Sequence, residues 1–432
     1  MTDGVQTAAV TSGAIVAPFD RLVGQDIAAR YLSAVVGSSY TPQGFLFVGP
    51  LGAGKTQAAE ALAQSLLCPN GGADNCNDCR QVKNQTHPDL RLLVPEGANG
   101  YLAEQIQELN HDAALAPMRS TKKVYIINSA DKMTTSFANG FLKTLEEPPA
   151  STVFILISRS LESIIPTIRS RCQIVPFVTI AESDAFALLA APVVRADGSL
   201  DIQAVTHSED EMRIALAYSA GSISEARDFL RTNSNKELKN QLFAELRGLL
   251  RYDSLDILEA AKTLVLASKL PLDQLVADQQ RRLEEGKELL SKGALSSLEQ
   301  RLKREMTAAE KSSAHWVIQG IRIWLRDLLL AASGCADQVV NIDQLDLIKA
   351  YLGARSSTGR EASSAFETSL PIGNADELAP LTAYDARLVA AILRCLEASS
   401  EAVRALDYNV SVQSIFEFLL FEINDELGER AR

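Results

Sequence analysis

The chain has 432 residues, which at roughly 150 residues per domain suggests about three domains rather than one core. Its 54 acidic residues outnumber 42 basic ones, giving a formal charge of −12, and 47% of residues are hydrophobic against 22% charged. That balance excludes wholesale disorder, and it excludes a protein that grips nucleic acid by bulk positive charge.

The first residues, MTDGVQTAAVTSGAIVAPFD, lack a basic start before their mildly apolar stretch, and no window of about 18 residues is free of polar interruption. No signal peptide or membrane span is read, and a cytoplasmic protein is expected. Residues 1–16 are taken as a flexible N-terminus. From Phe19 to Val178 short β-rich runs alternate with helical stretches: FLFV at 45–48, LRLLV at 90–94, VYII at 124–127, VFILI at 153–157 and QIVPF at 173–177. Near-continuous apolar strands between helices predict a five-stranded parallel sheet covered on both faces, over residues 17–178.

Past Thr179 the strand signal fades. SDAFALLAAP, EMRIALAYSA and SEARDFLRT space apolar residues as short amphipathic helices do, predicting a small helical domain over 179–235, with PVVRADGSLD as a loop or small insertion. KELKNQLFAELRGLLRY, HWVIQGIRIWLRDLLLAASG and VSVQSIFEFLLFEINDEL predict an all-α domain over 236–432. Residues 355–378, rich in Ser, Thr and Gly, read as an exposed connection. The charges of RRLEEGKELL and RLKREMTAAEK read as solvated helix faces, as do Lys122 and Lys123 ahead of their strand.

FLFV runs into Gly49-Pro50-Leu51-Gly52-Ala53-Gly54-Lys55-Thr56 and then the helical QAAEALAQSLL, a GxxxxGKT loop in its strand-loop-helix setting. Successive N–H groups and the helix N-terminus would face a phosphate chain, Lys55 would reach the β and γ phosphates, and Thr56 would ligate Mg²⁺. ATP or ADP with Mg²⁺ is therefore the expected ligand. Hydrolysis also needs carboxylates at the end of a neighbouring strand, and there the chain has Asn128 and Ser129. A neutral Asn is a weak Mg²⁺ ligand and a Ser hydroxyl is no base near pH 7. Asp131 reads as a helix-capping or surface residue rather than a displaced carboxylate. Nucleotide binding without efficient turnover is expected.

FDRLVGQDIAA at 19–29, the GPLGAGKT loop, ANGFLKTLEEPP at 138–149 and IIPTIRSRCQIVPF at 164–177 together resemble the AAA+ clamp-loader family of bacterial DNA polymerase III, most of all its delta-prime branch. The resemblance implies an α/β AAA+ P-loop domain, then a helical lid and an all-α collar. It also implies a hetero-pentameric ring with motor (gamma/tau) and delta subunits, which meets the sliding clamp and primed DNA as an assembly. By resemblance Arg171 of Ser170-Arg171-Cys172 is an arginine finger that completes a neighbour's ATP site in trans, with Arg169 as a second contact or a surface charge. Ser158, or its neighbour Arg159, falls at the polar sensor position. Gly221-Ser222-Ile223-Ser224 lacks the lid arginine of motor subunits unless Arg227 replaces it. Cys172 is expected to be a packing residue. The implied role is a largely non-hydrolysing stator; an active gamma/tau-like motor would need carboxylates at 128 and 129, and a P-loop nucleotide kinase would need an Arg-rich lid.

Six cysteines are too few for a disulfide scaffold, but Cys68, Cys76 and Cys79 bunch together as an intracellular thiol cluster would. The family places a four-cysteine zinc module here, at 68–82, and Val82 occupies the fourth position. Valine cannot ligate metal, and structural Zn²⁺ sites normally have four protein ligands. Two expectations stand: Zn²⁺ held by three cysteines with an improvised ligand (Asp74 or Asp78) or water, or a metal-free module held by packing. His87 is read as structural.

Overall fold

The computed structural model describes residues 17–38, 40–72, 76–97, 100–191, 193–194, 200–201, 207–289, 292–356, 386–408 and 410–428. These form two compact units: one spanning 1–205 with 220–224, the other 206–219 with 225–432.

The first unit begins with α1 (Asp26–Val36) and β1 (Gly44–Val48), followed by α2 (Lys55–Leu67), α3 (Asn77–Lys83), β2 (Leu90–Leu93), α4 (Ala103–Ala113) and β3 (Lys123–Ile127). It continues with α5 (Thr135–Glu146), β4 (Thr152–Ser158), α6 (Pro166–Arg169), β5 (Gln173–Pro176) and α7 (Glu182–Ala190). All five strands are parallel, in the order β2-β3-β4-β1-β5. Each coincides with one of the five runs anticipated from the sequence. The inner strands β1, β3 and β4 are buried almost throughout, whereas β2 and β5 lie at the edges and are partly exposed. Pro176, which has no N–H to donate, ends the edge strand β5, where proline is tolerated.

Side chains alternate across the sheet. Phe45, Phe47, Val124, Ile126, Val153, Ile155 and Ile157 pack with α1 and α2, and alanines at 58, 59, 61 and 63 let α2 approach the sheet closely. Leu46, Tyr125, Ile127, Phe154 and Leu156 fill the other face with Ile106 and Leu109 of α4 and Phe137 and Phe141 of α5. A fully buried side chain such as Phe154 contributes roughly 1.5–3 kcal/mol. The Gln25 amide donates to the Val178 carbonyl (2.7 Å) and accepts from its N–H (3.0 Å), joining the VGQ segment to the chain beyond β5. The PVVRADGSLD segment carries a two-stranded antiparallel ladder of β6 (Val193–Val194) and β7 (Leu200–Asp201).

The second unit is helical: α8 (Glu209–Tyr218), α9 (Ile223–Arg231, which starts in the first unit), α10 (Asn233–Gly248), α11 (Ser254–Ala267), α12 (Asp273–Leu289), α13 (Lys292–Ala332), α14 (Leu345–Ser356), α15 (Ala386–Asp407) and α16 (Val412–Leu427). α16 packs on α11 and α15 through Phe416, Leu419, Leu420 and Ile423. Asp327, wholly buried, accepts from the backbone N–H groups of Val340 (3.0 Å) and Asn341 (2.9 Å) and from the Asn341 amide (2.8 Å). Asn341 in turn accepts from the Tyr218 hydroxyl at 3.1 Å, so α8 is fixed onto this unit. Arg281 and Arg282 pair with Asp278, and Arg282 reaches Glu305, on a solvated face as expected. The proposed connection at 355–378 falls outside the described residues beyond the end of α14. Among the described residues no helix is long and apolar enough to cross a membrane.

Two side chains depart from the sequence reading. Lys123 is buried, not solvated: its ammonium donates to the Asp112 carbonyl (2.8 Å) and pairs with the Asp112 carboxylate (3.2 Å), because β3 begins beneath α4. Asp131 is not a helix cap. It sits in a 3-10 turn, Ala130–Lys132, and the cap of α5 is Thr134, whose hydroxyl accepts from the Phe137 N–H at 3.3 Å.

Candidate functional site

The phosphate loop joins the C-terminal end of β1 to the N-terminus of α2. Gly54 caps α2 in the left-handed region (φ +78°), and Gly52 is also left-handed (φ +74°), so the sharp turns that expose loop N–H groups need glycine there. A Cβ on Gly52 would overlap the Gly221 carbonyl oxygen, so the loop backbone lies directly against the Gly221-Ser222 turn. Pro50 and Ala53 complete the loop; Ala53 is buried in the α2 face of the core, while Thr56 is exposed at the start of the helix.

Lys55 is 7% exposed, and its ammonium donates to the carbonyls of Gly49 (2.6 Å) and Pro50. Burial, and then repulsion from Arg159, lower its pKa to about 8, against an opposing pull from Asp131. The Gly49 N–H donates to the Ser158 carbonyl (3.4 Å), extending the β1–β4 ladder in which Val48 lies opposite Ser158. The ends of β1 and β4 therefore bring Lys55, Ser158 and Arg159 to one edge of the sheet.

At the end of β3 the Asn128 side-chain oxygen accepts from the Ser129 N–H (2.9 Å), and Ser129 itself is left-handed (φ 49°). The Tyr101 hydroxyl, against the carbonyls of Leu93 (2.9 Å) and Asn128, ties the ends of β2 and β3 together. The Ser158 hydroxyl donates to the Ser160 carbonyl (2.8 Å) and lies 3.1 Å from the Ser163 hydroxyl. One Asp131 carboxylate oxygen is buried without a hydrogen-bond partner; burial and then its charge raise Tyr101, and the same charge opposes the lowering of Lys55. From sequence alone this residue is weighed as a displaced carboxylate, and a helix-capping or surface role is preferred.

Arg171 follows α6 on the surface. Its guanidinium pairs with Glu146 at the end of α5 (2.6 Å) and donates to the Thr167 carbonyl (2.9 Å); the two side chains are 35% and 48% exposed. Glu146 was not singled out in the sequence, since nothing in LEEPP indicates which surface charge it meets. Cys172 packs against the α5 face of the core, and burial pushes its thiol up to about 12. Arg227 lies on α9 within the second unit, where burial lowers it.

The thiols of Cys68, Cys76 and Cys79 converge within 4.8 Å of one another, with Cys68 and Cys76 sulfurs 3.4 Å apart. The Asn70 N–H donates to the Cys68 sulfur (3.3 Å) and the Cys79 N–H to the Cys76 sulfur (3.4 Å), as donors do around metal thiolates. Sulfurs of a tetrahedral zinc, with Zn–S near 2.3 Å, would be roughly 3.8 Å apart, so three of the four positions fit. Val82, one turn beyond Cys79, is buried in the core and offers no ligand. His87 and Asp78 are not among the converging groups, and Asp74 lies outside the described residues. His87 Nδ1 instead accepts from the Asp89 N–H (3.1 Å), and its Nε2 lies 3.8 Å from Asp78. Asp89 accepts from the N–H groups of Met118, Arg119 and Ser120 (2.5, 2.8 and 2.7 Å), while Asp78 pairs with Arg119 (3.0 Å), so the thiol module is fastened to the segment before β3.

The sheet order, the glycine loop and the helical second unit define an AAA+ P-loop protein. Residues 24–181 match the model of the family described as DNA polymerase III, delta subunit. The chain is 43% identical over 136 residues to DNA polymerase III subunit delta' of Bacillus subtilis (strain 168), covering 31% of this chain and 41% of that protein. It is 34% identical over 145 residues to subunit delta' of Pseudomonas aeruginosa, covering 32% and 44%. To subunit gamma/tau of Mycobacterium bovis it is 33% identical over 178 residues, covering 40% and 31%. The chain spans less than half the length of each of these relatives. Over residues 24–181 the chain is thus similar to the delta-type and gamma/tau subunits of DNA polymerase III.

Proposed function

We propose that this chain is a delta-prime-like clamp-loader subunit, a largely non-hydrolysing stator that lends Arg171 to the ATP site of a neighbouring gamma/tau-type motor. The AAA+ domain would occupy 17–178, the lid 179–235 and the collar 236–432, within a ring with motor and delta subunits that loads a sliding clamp on primed DNA in the cytoplasm. The observation that carries the reading is the opposition of two edges. The chain's own site has Asn128 and Ser129 where carboxylates are needed, whereas Arg171 stands on the surface, held by the exposed Glu146 carboxylate and the Thr167 carbonyl. A guanidinium suits a trans role because it is permanently charged and bidentate toward phosphoryl oxygens.

The loop would still bind ATP or ADP through Lys55 and the N–H groups of residues 52–56, and the three thiols would hold Zn²⁺ with water or a borrowed ligand as the fourth. A second reading, an active motor, draws support from the Asp131 carboxylate near Lys55. ATPase assays separate the two. The stator reading expects negligible turnover by the isolated chain and a fall in DNA-stimulated turnover of the reconstituted loader with Arg171→Ala. Turnover by the isolated chain that Lys55→Ala abolishes would establish the motor instead.

A further inference from the structure

We propose that Lys55 and Arg159 form a two-cation phosphate seat that binds a nucleoside triphosphate without a required divalent metal. This rests on the reading above that the loop binds nucleotide, and it assigns the charge compensation to side chains rather than Mg²⁺. Backbone geometry carries it: Ser158 lies opposite Val48, and the Ser158 carbonyl receives the Gly49 N–H, so Arg159 leaves β4 beside the first residue of the phosphate loop. The Lys55 ammonium is held over the carbonyls of Gly49 and Pro50, on that same edge. Arg159 is exposed and has no ion-pair partner among the described residues. Its proximity also registers in the lowered basicity of Lys55, to which it contributes after burial.

At the strand ends the oxygens other than those of Asp131 are occupied or neutral. The Asn128 oxygen is engaged by the Ser129 N–H, and the Ser158 hydroxyl is turned into its own loop toward Ser160 and Ser163. Mg²⁺ demands a near-octahedral oxygen set and is usually anchored by a carboxylate. Asp131 is the single carboxylate whose charge Lys55 registers. Lys55 and Arg159 repel each other, and a polyphosphate relieves that repulsion, with the guanidinium fork matching phosphate oxygens two at a time.

The test is titration calorimetry of ATP into the full chain, in EDTA and in excess Mg²⁺, with circular dichroism to verify folding of each variant. The expected affinities differ by no more than about threefold between the two conditions, and Arg159→Ala weakens binding in EDTA by about ten- to a hundredfold, partly restored by Arg159→Lys. The proposal is overturned by affinity that rises more than about tenfold with Mg²⁺, above all if Asp131→Asn removes the gain, or by indifference to Arg159→Ala. Absence of ATP binding in both conditions also overturns it, yet leaves the trans role of Arg171 to be judged by the loader ATPase alone.

Discussion

Arg171 must leave Glu146 if it is to reach a neighbour's nucleotide, and the structure sets the cost of leaving. With side chains 35% and 48% exposed, the pair is largely solvated despite its 2.6 Å separation. Such pairs are worth about 0–1 kcal/mol, so the ion pair withholds the guanidinium by no more than about fivefold in population. A finger in place is worth roughly a thousandfold or more in phosphoryl-transfer rate. Substituting Glu146→Gln therefore should leave the melting temperature of the chain within about 4 °C of the parent. In a reconstituted loader it should leave DNA-stimulated ATPase unchanged or raise it by up to about fivefold, whereas Arg171→Ala should depress it severely. The assay is steady-state phosphate release at saturating ATP with clamp and primed DNA. If Glu146→Gln lowered the rate as far as Arg171→Ala, Glu146 would be positioning the guanidinium, and the reasoning from a weak, releasable pair would fail.

Asp89→Ala should destabilise the first unit by about 2 kcal/mol or more, because it removes a wholly buried carboxylate that accepts from three backbone N–H groups; a shift in urea midpoint worth under about 1 kcal/mol would contradict this. Burial pushes the Asp89 carboxyl up, but those N–H groups outweigh it and hold the pKa below its ordinary value. Its contribution to stability is thus fully present above the unfolded pKa and is lost as pH falls through the folded one. For Lys55, with a pKa lowered to about 8, phosphate binding should take up a proton above that pH, so nucleotide affinity should fall as pH rises from 8 to 10; calorimetry in buffers of different ionisation enthalpy reads the uptake, and a flat profile would exclude Lys55 as a contact. Protein purified without added zinc should carry about one Zn²⁺ per chain and lose it with Cys76→Ser; a metal ratio near zero in the parent would leave the thiols as a packing cluster.

The sheet was legible because its signal is carried by short range and by composition. Five β-rich apolar runs separated by helical spacing permit few arrangements beyond a covered parallel sheet, and each run became a strand at nearly its own limits. The phosphate loop was legible for a related reason, since left-handed backbone at positions 52 and 54 leaves glycine as the residue that fits. What stayed hidden depends on pairings between segments far apart in sequence. Lys123 looked solvated until α4 placed Asp112 above it, and Glu146 was one acid among many until α6 brought Arg171 to it. The missing fourth cysteine was plain in the sequence, but the burial of Val82 in the core behind α3 was not.

Asp131 and Arg159 make the same point about the site's charge. Each stands just beyond the position where a pattern would look, one four residues past the end of β3 and one immediately after Ser158. A pattern of side-chain types therefore counts losses at Asn128 and Ser129 without counting what the fold brings beside them. Because adjacent parallel strands end together, the residues after β1, β3 and β4 share one edge, and the electrostatics of that edge belong to all of them at once. Loss of the acidic pair removes the groups that would anchor a metal and activate water, while Lys55 and Arg159 keep the attraction for phosphate. On the proposed reading, binding and turnover are in this way separable at a single sheet edge.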